Sequence, residues 1–463
     1  MIDTLRLTVE EANRLLAAKE ISGAELFAAY AERDDDLHAY LLRCDDPGGA
    51  GVPIAIKDVI GTKGVTTTAG SKILESYVPV YDATVAANCK TSGLRLLGKT
   101  NTDEFAMGSS TENSAYGPSR NPWDLERVPG GSGGGSAAAV SGGLAPWALG
   151  SDTGGSIKQP SALCGNVGLR PTYGTVSRYG VVAFASSLDQ VGPVAKNVRD
   201  CALLYSIISG RDVNDGTTVE VPEVELPTAQ DLKGMRIGVP KEMNEAEGIE
   251  PGVTASVRKA IELAESLGAE VGECSLPRSV EYGVACYYLV APAEASSNLA
   301  RYDGVRYGLR AGGEDFREMV MATRHDGFGD EPKRRIMIGT YALSSGYYDA
   351  YYAKAQRVRT MIRREHADVF EKFDLIVSPT SPTVAFKLGE KAGDPLAMYL
   401  NDLLTIPSCM AGLPGLNIPC GLSGGLPVGL QLIGAQFAEN TLFKAGHALE
   451  QAIGFDPVPE RLR

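Results

Sequence analysis

Two short stretches carry the residue types best suited to chemistry. "VPGGSGGGSAAAVSGG" (128–143) holds seven glycines and three serines with no acid, base or aromatic group. "GSDTGGSIKQP" (150–160) sets a second glycine-flanked serine, Ser156, beside a charged residue. Glycine allows backbone conformations closed to other residues, so neighbouring N–H groups can turn inward and converge on a developing oxyanion. Gly154 and Gly155 have that capacity next to the Ser156 hydroxyl, which is the arrangement acyl transfer needs.

A serine nucleophile requires a base. No histidine lies between His38 and His325. Triads assemble by geometry and not by chain order, so a distant imidazole stays open, but lysine becomes a real alternative. Lys57 interrupts the apolar run "GVPIAIKDVI". Burial there lowers a lysine pKa toward the range of a general base. The competing structural role is a strand lysine that snorkels or pairs with Asp58. Phosphate cradling is the other use of such glycines, and it fits poorly. A nucleotide P-loop needs Gly-Lys followed by Ser or Thr, where this chain continues "SAAAV", and Pro129 directly before the glycines disrupts a dinucleotide fingerprint.

The elements that position these residues read as α/β. Thr8 with Glu11, and Ser22 with Glu25, have capping-box spacing and predict two short N-terminal helices within a helical region of about 1–45. "GVPIAIKDVI" predicts a strand bounded by glycines. The stretch 128–192 predicts strands and a helix joined by tight turns. "MRIGVP", "VTASVRKAIELAESLG" and "AEVGEC" (235–274) form a βαβ phrase, residues 344–373 predict one long helix, and "DLIVSPTSP" predicts a buried strand. The tyrosine-rich "SGYYDAYY" is expected to pack inside this unit, with partner contact as the alternative. The linker-like places, 220–231 and 311–317, are short, so residues 1–463 are expected to form a single domain.

Composition narrows the class. The chain has 463 residues, 44% of them hydrophobic, and a formal net charge of −13, which disfavours an extended nucleic-acid footprint. No apolar signal core or 18-residue apolar stretch is present, so export and membrane spanning are not expected. Eight cysteines without a CxxC pair predict reduced thiols and a cytoplasmic location, and the scattered histidines give no metal motif.

Taken together, "GVPIAIKD", "GGSGGGSA", "GSDTGGSIKQP" and "GLRPTYGTVSRYGVVAFASSLDQVGP" resemble the amidase signature family. The resemblance implies an α/β fold with a central mixed β-sheet covered by helices on both sides, and a Ser–cis-Ser–Lys triad. Matched motif by motif, it makes Ser156 the nucleophile, Ser132 the bridging serine behind a cis Gly131–Ser132 bond, and Lys57 the base. It also assigns the backbone amides of Thr153, Gly154, Gly155 and Ser156 to the oxyanion hole. Two positions depart from the family pattern. Gly133 stands where a second serine is common, and Lys158 where arginine is, which removes any bidentate contact.

The resemblance spans nearly the whole chain. Through "NTDEFAMGSSTENSAYGPSRNPWD", "YYLVAPAEASSNLARYDGVRYG", "KRRIMIGTYALSSGYYDAYYAKAQRVR" and "DLLTIPSCMAGLPGLNIPCG" it is nearest the branch of glutamine-hydrolysing subunits found in glutamyl-tRNA(Gln) amidotransferases. That branch implies free glutamine as the small substrate, with Arg335 (or its neighbour Arg334) for the α-carboxylate, Asp402 for the α-ammonium and Tyr287 as a pocket hydroxyl. It further implies a heterotrimer with a B and a small C subunit. The B subunit contacts the misacylated tRNA and uses ATP and Mg²⁺, while this chain binds no cofactor or metal of its own. Some members also amidate Asp-tRNA(Asn). A stand-alone amidase of small carboxamides and a non-catalytic scaffold remain the alternatives.

Overall fold

The computed structural model describes residues 2–463. The N-terminal capping signals act as the sequence demands. Thr8 Oγ1 accepts from the Glu11 amide at 3.1 Å to open the helix Val9–Ala17, and Ser22 and Glu25 form a reciprocal capping box ahead of the helix Gly23–Ala31.

Eleven strands make one mixed sheet. In chain order they are β1 (Tyr40–Arg43), β2 (Pro53–Lys57), β3 (Arg95–Thr100), β4 (Trp147–Asp152), β5 (Val167–Arg170) and β6 (Gln190–Ala195). They continue with β7 (Arg236–Pro240), β8 (Glu270–Cys274), β9 (Leu375–Pro379), β10 (Gly415–Ser423) and β11 (Leu426–Gly434). Their spatial order is β1-β3-β2-β4-β6-β5-β10-β11-β9-β7-β8. Strands β2, β4, β5, β6, β9 and β11 are buried along their whole length. That is why they read as nearly unbroken apolar runs and not as alternating ones. The predicted βαβ phrase forms as β7, the helix Pro251–Ser266 and β8, with the two strands parallel.

Three expectations need correction. The glycine-rich stretch contains two helices, Gly134–Ser141 and Lys158–Cys164, where one was predicted. The second is only 7 residues long, too short for a visible period, and tolerates Pro160 because proline sits in its first turn. Residues 344–373 do not form one helix. Ser344 turns extended (ψ 155°) at the end of the helix Asp330–Leu343, and Gly346 adopts φ +87°. A π-helical turn Asp349–Ala353 then leads into the helix Lys354–Phe370. Tyr341, Tyr347 and Tyr351 cluster on the surface of this region, so the tyrosine-rich segment does not pack inside. No described helix is long and apolar enough to cross a membrane.

One feature of the topology builds the site. β2 and β4 are parallel neighbours, with Ile56 paired to Leu149. Their carboxyl ends, Lys57 and Ser151–Asp152, therefore emerge side by side. β2 is flanked by parallel β3 on its other side, so the chain passes from β2 to one side and then returns to β4 on the other, and the order of connection reverses here. The ends of parallel strands at such a switch form a crevice where loops from both sides meet.

Candidate active site

Lys57 closes β2 and is completely buried. Its Nζ lies 2.7 Å from Ser132 Oγ and 3.3 Å from the Ser151 carbonyl oxygen. Burial drives its pKa from 10.5 down to about 7, against the pull of Asp103, Asp152 and Asp189, which favour the charged form. The ammonium and the free amine are thus nearly balanced near neutral pH. Lys57 does not pair with Asp58, whose ion pair is with Lys99 at 3.3 Å.

Ser132 follows a cis Gly131–Ser132 peptide and lies one residue before Gly133, the N-cap of the helix Gly134–Ser141. The Gly131 amide donates to Gln159 Oε1 at 2.9 Å, and Thr111 Oγ1 donates to the Gly130 carbonyl at 2.7 Å. Those two bonds pin the glycine loop from opposite flanks. The Gly133 amide donates to the Ser156 carbonyl oxygen at 3.1 Å, which draws the two serine loops together. The Lys57–Ser132 contact is made, but no hydrogen bond joins Ser132 Oγ to Ser156 Oγ among the described residues. Catalytic hydrogen bonds of this kind commonly reach their shortest, best-aligned geometry only in the complex with substrate.

Ser156 sits on the turn between β4 and the helix Lys158–Cys164. The amides of Thr153, Gly154, Gly155 and Ser156 donate to no acceptor among the described residues. Four consecutive free donors beside a serine hydroxyl are what an oxyanion requires. Asp152 braces the turn from beneath, accepting from the Ile157 amide at 3.0 Å and pairing with the buried Arg170 at 3.2 Å.

The predicted pocket residues come to the same place. A methyl group at Gly154 would lie 2.8 Å from Tyr287 Cζ and 3.0 Å from its hydroxyl, so the tyrosine ring rests directly on the serine loop. Burial pushes the Tyr287 phenol well up, and both Arg335 and Asp402 act on it electrostatically. Of the two candidate arginines, Arg335 is buried, while Arg334 is half-exposed and reaches back to the buried Glu331. Arg335 Nε donates to Glu331 Oε1 at 2.7 Å, and its guanidinium lies 5.2–5.5 Å from the ring centres of Phe184, Tyr288 and Tyr399. Burial alone would lower its pKa, but Tyr288 and Glu331 outweigh that and keep it cationic. Its two terminal nitrogens make no hydrogen bond among the described residues, which leaves the bidentate fork open.

Asp402 is buried, accepts from Ser109 Oγ through one oxygen and leaves the other, Oδ1, without a partner among the described residues. Burial raises its pKa to about 7, offset by the Ser109 bond and by Arg335. The two departures from the family pattern also have a structural account. Lys158 is buried, and its Nζ donates to Ser408 Oγ (2.8 Å), Gln431 Oε1 (2.9 Å) and the Thr405 carbonyl (3.2 Å), which occupies all three ammonium protons. A Cβ at Gly133 would collide with the Ser156 carbonyl oxygen, so the two serine loops approach closely at this glycine.

Sequence reading missed Ser109, Glu331, Tyr399, Gln159 and Thr405. Ser109 and Thr405 fall within quoted blocks, but their partners lie 293 and 251 residues away. None of the four histidines contacts Lys57, Ser132 or Ser156. His38 and His366 use Nδ1 on the carbonyls of Pro118 and Ile362, and His325 uses its own on Asp326.

Known proteins resemble this chain along nearly its whole length. The Amidase family model matches residues 19–443. The A subunit of a glutamyl-tRNA(Gln) amidotransferase from Moorella thermoacetica is 58% identical over 96% of this chain and 96% of its own length. The corresponding A subunit from Roseiflexus castenholzii is 55% identical over 97% and 96%. The crystal structure of the Thermotoga maritima A subunit superposes with a TM-score of 0.86 at 47% identity, covering 100% of this chain and 99% of that one. A 6-aminohexanoate cyclic dimer hydrolase, at 25% identity, superposes with a TM-score of 0.84. With a mixed sheet that seats a buried lysine against a serine, and with sequence and structural relatives matched end to end, this chain belongs to the amidase family.

Proposed function

We propose that this chain is the glutaminase subunit of a glutamyl-tRNA(Gln) amidotransferase, releasing ammonia from glutamine for conversion of Glu-tRNA(Gln) to Gln-tRNA(Gln). Asp-tRNA(Asn) is a second acceptor in the same scheme. The observation that carries it is the pair of buried opposite charges around Tyr287. Arg335 has an open bidentate fork, and Asp402 has an unpaired oxygen. A free amino acid presents one carboxylate and one ammonium, and this pair answers both. A simple carboxamide needs neither.

The chemistry follows from the site. Neutral Lys57 takes a proton from the Ser132 hydroxyl across their 2.7 Å contact, Ser132 takes one from Ser156, and Ser156 attacks the glutamine side-chain carbonyl. The free amides at 153–156 stabilise the tetrahedral oxyanion, about 3–4 kcal/mol for one good donor. The proton then returns through Ser132 to the departing nitrogen, ammonia leaves, and water hydrolyses the acyl-enzyme to glutamate.

In this scheme ATP and Mg²⁺ act on a B subunit that activates the tRNA-borne carboxylate, a C subunit completes the heterotrimer, and the assembly works in the cytoplasm. A chain with a net charge of −13 that handles only glutamine has no need of a basic tRNA face. The test is reconstitution with the B and C subunits. Ser156→Ala abolishes glutamine-supported amidation and preserves amidation fed by ammonium salts. Loss of both in a folded complex overturns the division of labour. Unchanged glutamine turnover leaves only a scaffold, and rapid turnover of simple amides by the isolated chain favours a stand-alone amidase.

A further inference from the structure

We infer that Thr405 is a positioning residue that ties the substrate-ammonium site to the oxyanion hole. The inference rests on the glutaminase reading above. Thr405 is completely buried, and its Oγ1 donates to the Gly154 carbonyl at 2.6 Å. The same hydroxyl lies 3.2 Å from the Asp402 carbonyl, and the Thr405 amide donates to that carbonyl at 3.1 Å. One residue therefore grips both the turn that ends at Asp402 and the loop that carries the nucleophile.

Peptide planarity gives the contact its consequence. In a trans peptide the C=O and the following N–H point in opposite directions from one rigid plane. Holding the Gly154 oxygen on Thr405 turns the Gly155 N–H the other way, with no acceptor to occupy it. Gly155 sits at φ +144°, and a Cβ there would collide with Thr405 Oγ1 and lie 2.8 Å from Thr405 Cβ. The loop thus reaches Thr405 only because residue 155 is glycine. Thr405 is itself fixed from the far side, where its carbonyl accepts from Lys158 Nζ at 3.2 Å and Ser408 Oγ at 3.0 Å. Lys158 belongs to the nucleophile's helix, so the grip closes a loop: Gly154 to Thr405, Thr405 to Lys158, Lys158 back to Ser156.

Losing one oxyanion donor outright costs roughly 10²–10³ in kcat. Loosening one costs less. We expect Thr405→Val, which keeps the shape and removes the hydroxyl, to lower kcat for glutamine roughly 10-fold to 100-fold. KM should stay within about threefold, since the Asp402 carboxylate and the Arg335 fork are untouched. Thr405→Ser, which restores the hydroxyl, should recover kcat to within about threefold of the unaltered protein. The assay uses the reconstituted complex, with ammonia-fed amidation as the control that stays constant. Affinity for an aldehyde analogue of glutamine, which forms a tetrahedral adduct with Ser156, should fall in step with kcat. A role confined to packing would change KM, stability or ammonia-fed amidation and leave the aldehyde-to-glutamine affinity ratio fixed.

An unchanged kcat in Thr405→Val overturns the inference, as does a serine variant no better than valine, or an effect on KM alone. If the valine protein does not fold, Thr405→Ser against Thr405→Ala makes the same comparison. If the unaltered protein cleaves a simple carboxamide and not glutamine, the glutaminase reading fails. The same kcat comparison on the carboxamide then decides the role of Thr405 independently.

Discussion

The proton relay makes a quantitative prediction about pH. Lys57 is held at about 7 by burial, so about a tenth of it is uncharged at pH 6 and about nine-tenths at pH 8. Only the uncharged amine accepts a proton, so kcat for glutamine hydrolysis should rise about tenfold between those values and level off above pH 8. Asp402 also titrates near 7, but its effect belongs to binding. As pH rises it becomes an anion that attracts the substrate ammonium, which lowers KM. The two limbs separate by mutation. Asp402→Asn should remove the pH dependence of KM and leave the kcat limb standing. Asp103 is the foremost of the carboxylates that favour the Lys57 ammonium, so Asp103→Asn should move the kcat limb to lower pH. Asp103 and Asp189 are themselves raised to about 6, so the apparent pKa belongs to the cluster and not to one atom. Steady-state rates from pH 5.5 to 9 in a constant-ionic-strength buffer suffice. A flat kcat across that range, or a limb that moves to higher pH in Asp103→Asn, refutes the neutral-amine mechanism.

Three further outcomes follow from packing around the site. Gly154→Ala pushes on Tyr287, 2.8 Å from the new methyl, and should cut kcat/KM for glutamine about 100-fold, the cost of roughly 1 Å of misplacement, as read in initial-rate assays. Arg335→Lys keeps the charge but loses the fork and the stacking among Phe184, Tyr288 and Tyr399, so glutamine KM should rise at least tenfold with kcat changed less. Lys158→Met leaves the Gln431 and Ser408 oxygens without their charged donor and should lower stability by about 2–3 kcal/mol, seen as an earlier midpoint in urea unfolding.

Some of this site was legible in the sequence and some was not, for physical reasons. The residues proposed to react lie inside short motifs rich in glycine and serine, so Lys57, Ser132 and Ser156 could be proposed from spacing and family resemblance. Strands buried on both faces announced themselves as apolar runs. The helix Lys158–Cys164 did not, because seven residues span barely two turns. The break at Ser344–Gly346 was hidden by the apolar and aromatic residues that follow it. Thr405 and Ser109 were invisible as functional groups. Each is an ordinary hydroxyl whose meaning comes from a partner more than 250 residues away in the chain, brought close only when the sheet assembles. Arg335 could not be told from Arg334 until the helix turned one inward and the other to solvent.

Buried lysines in this fold also show why a lowered pKa does not by itself make a base. Lys196 is buried and pushed to about 7 by desolvation, just as Lys57 is. Its partners are the Thr4 and Leu7 carbonyl oxygens, at 2.5 and 3.0 Å. A carbonyl has no proton to give, so Lys196 can only donate, and it tethers the segment leading into the first helix. Ser132 Oγ, the 2.7 Å partner of Lys57, does carry a proton and can reverse the direction of the bond. Lys158, also buried, has a hydroxyl among its partners as well. Its hydroxyl partner, Ser408, already donates to the Thr405 carbonyl at 3.0 Å and can only accept from the ammonium. The chemical difference lies in the partner and not in the depth of burial. Lys196→Met should therefore leave kcat and its pH limb unchanged while residues 2–17 lose hydrogen-exchange protection. A shift of the pH limb in that variant would mean that Lys57 is not the group being titrated.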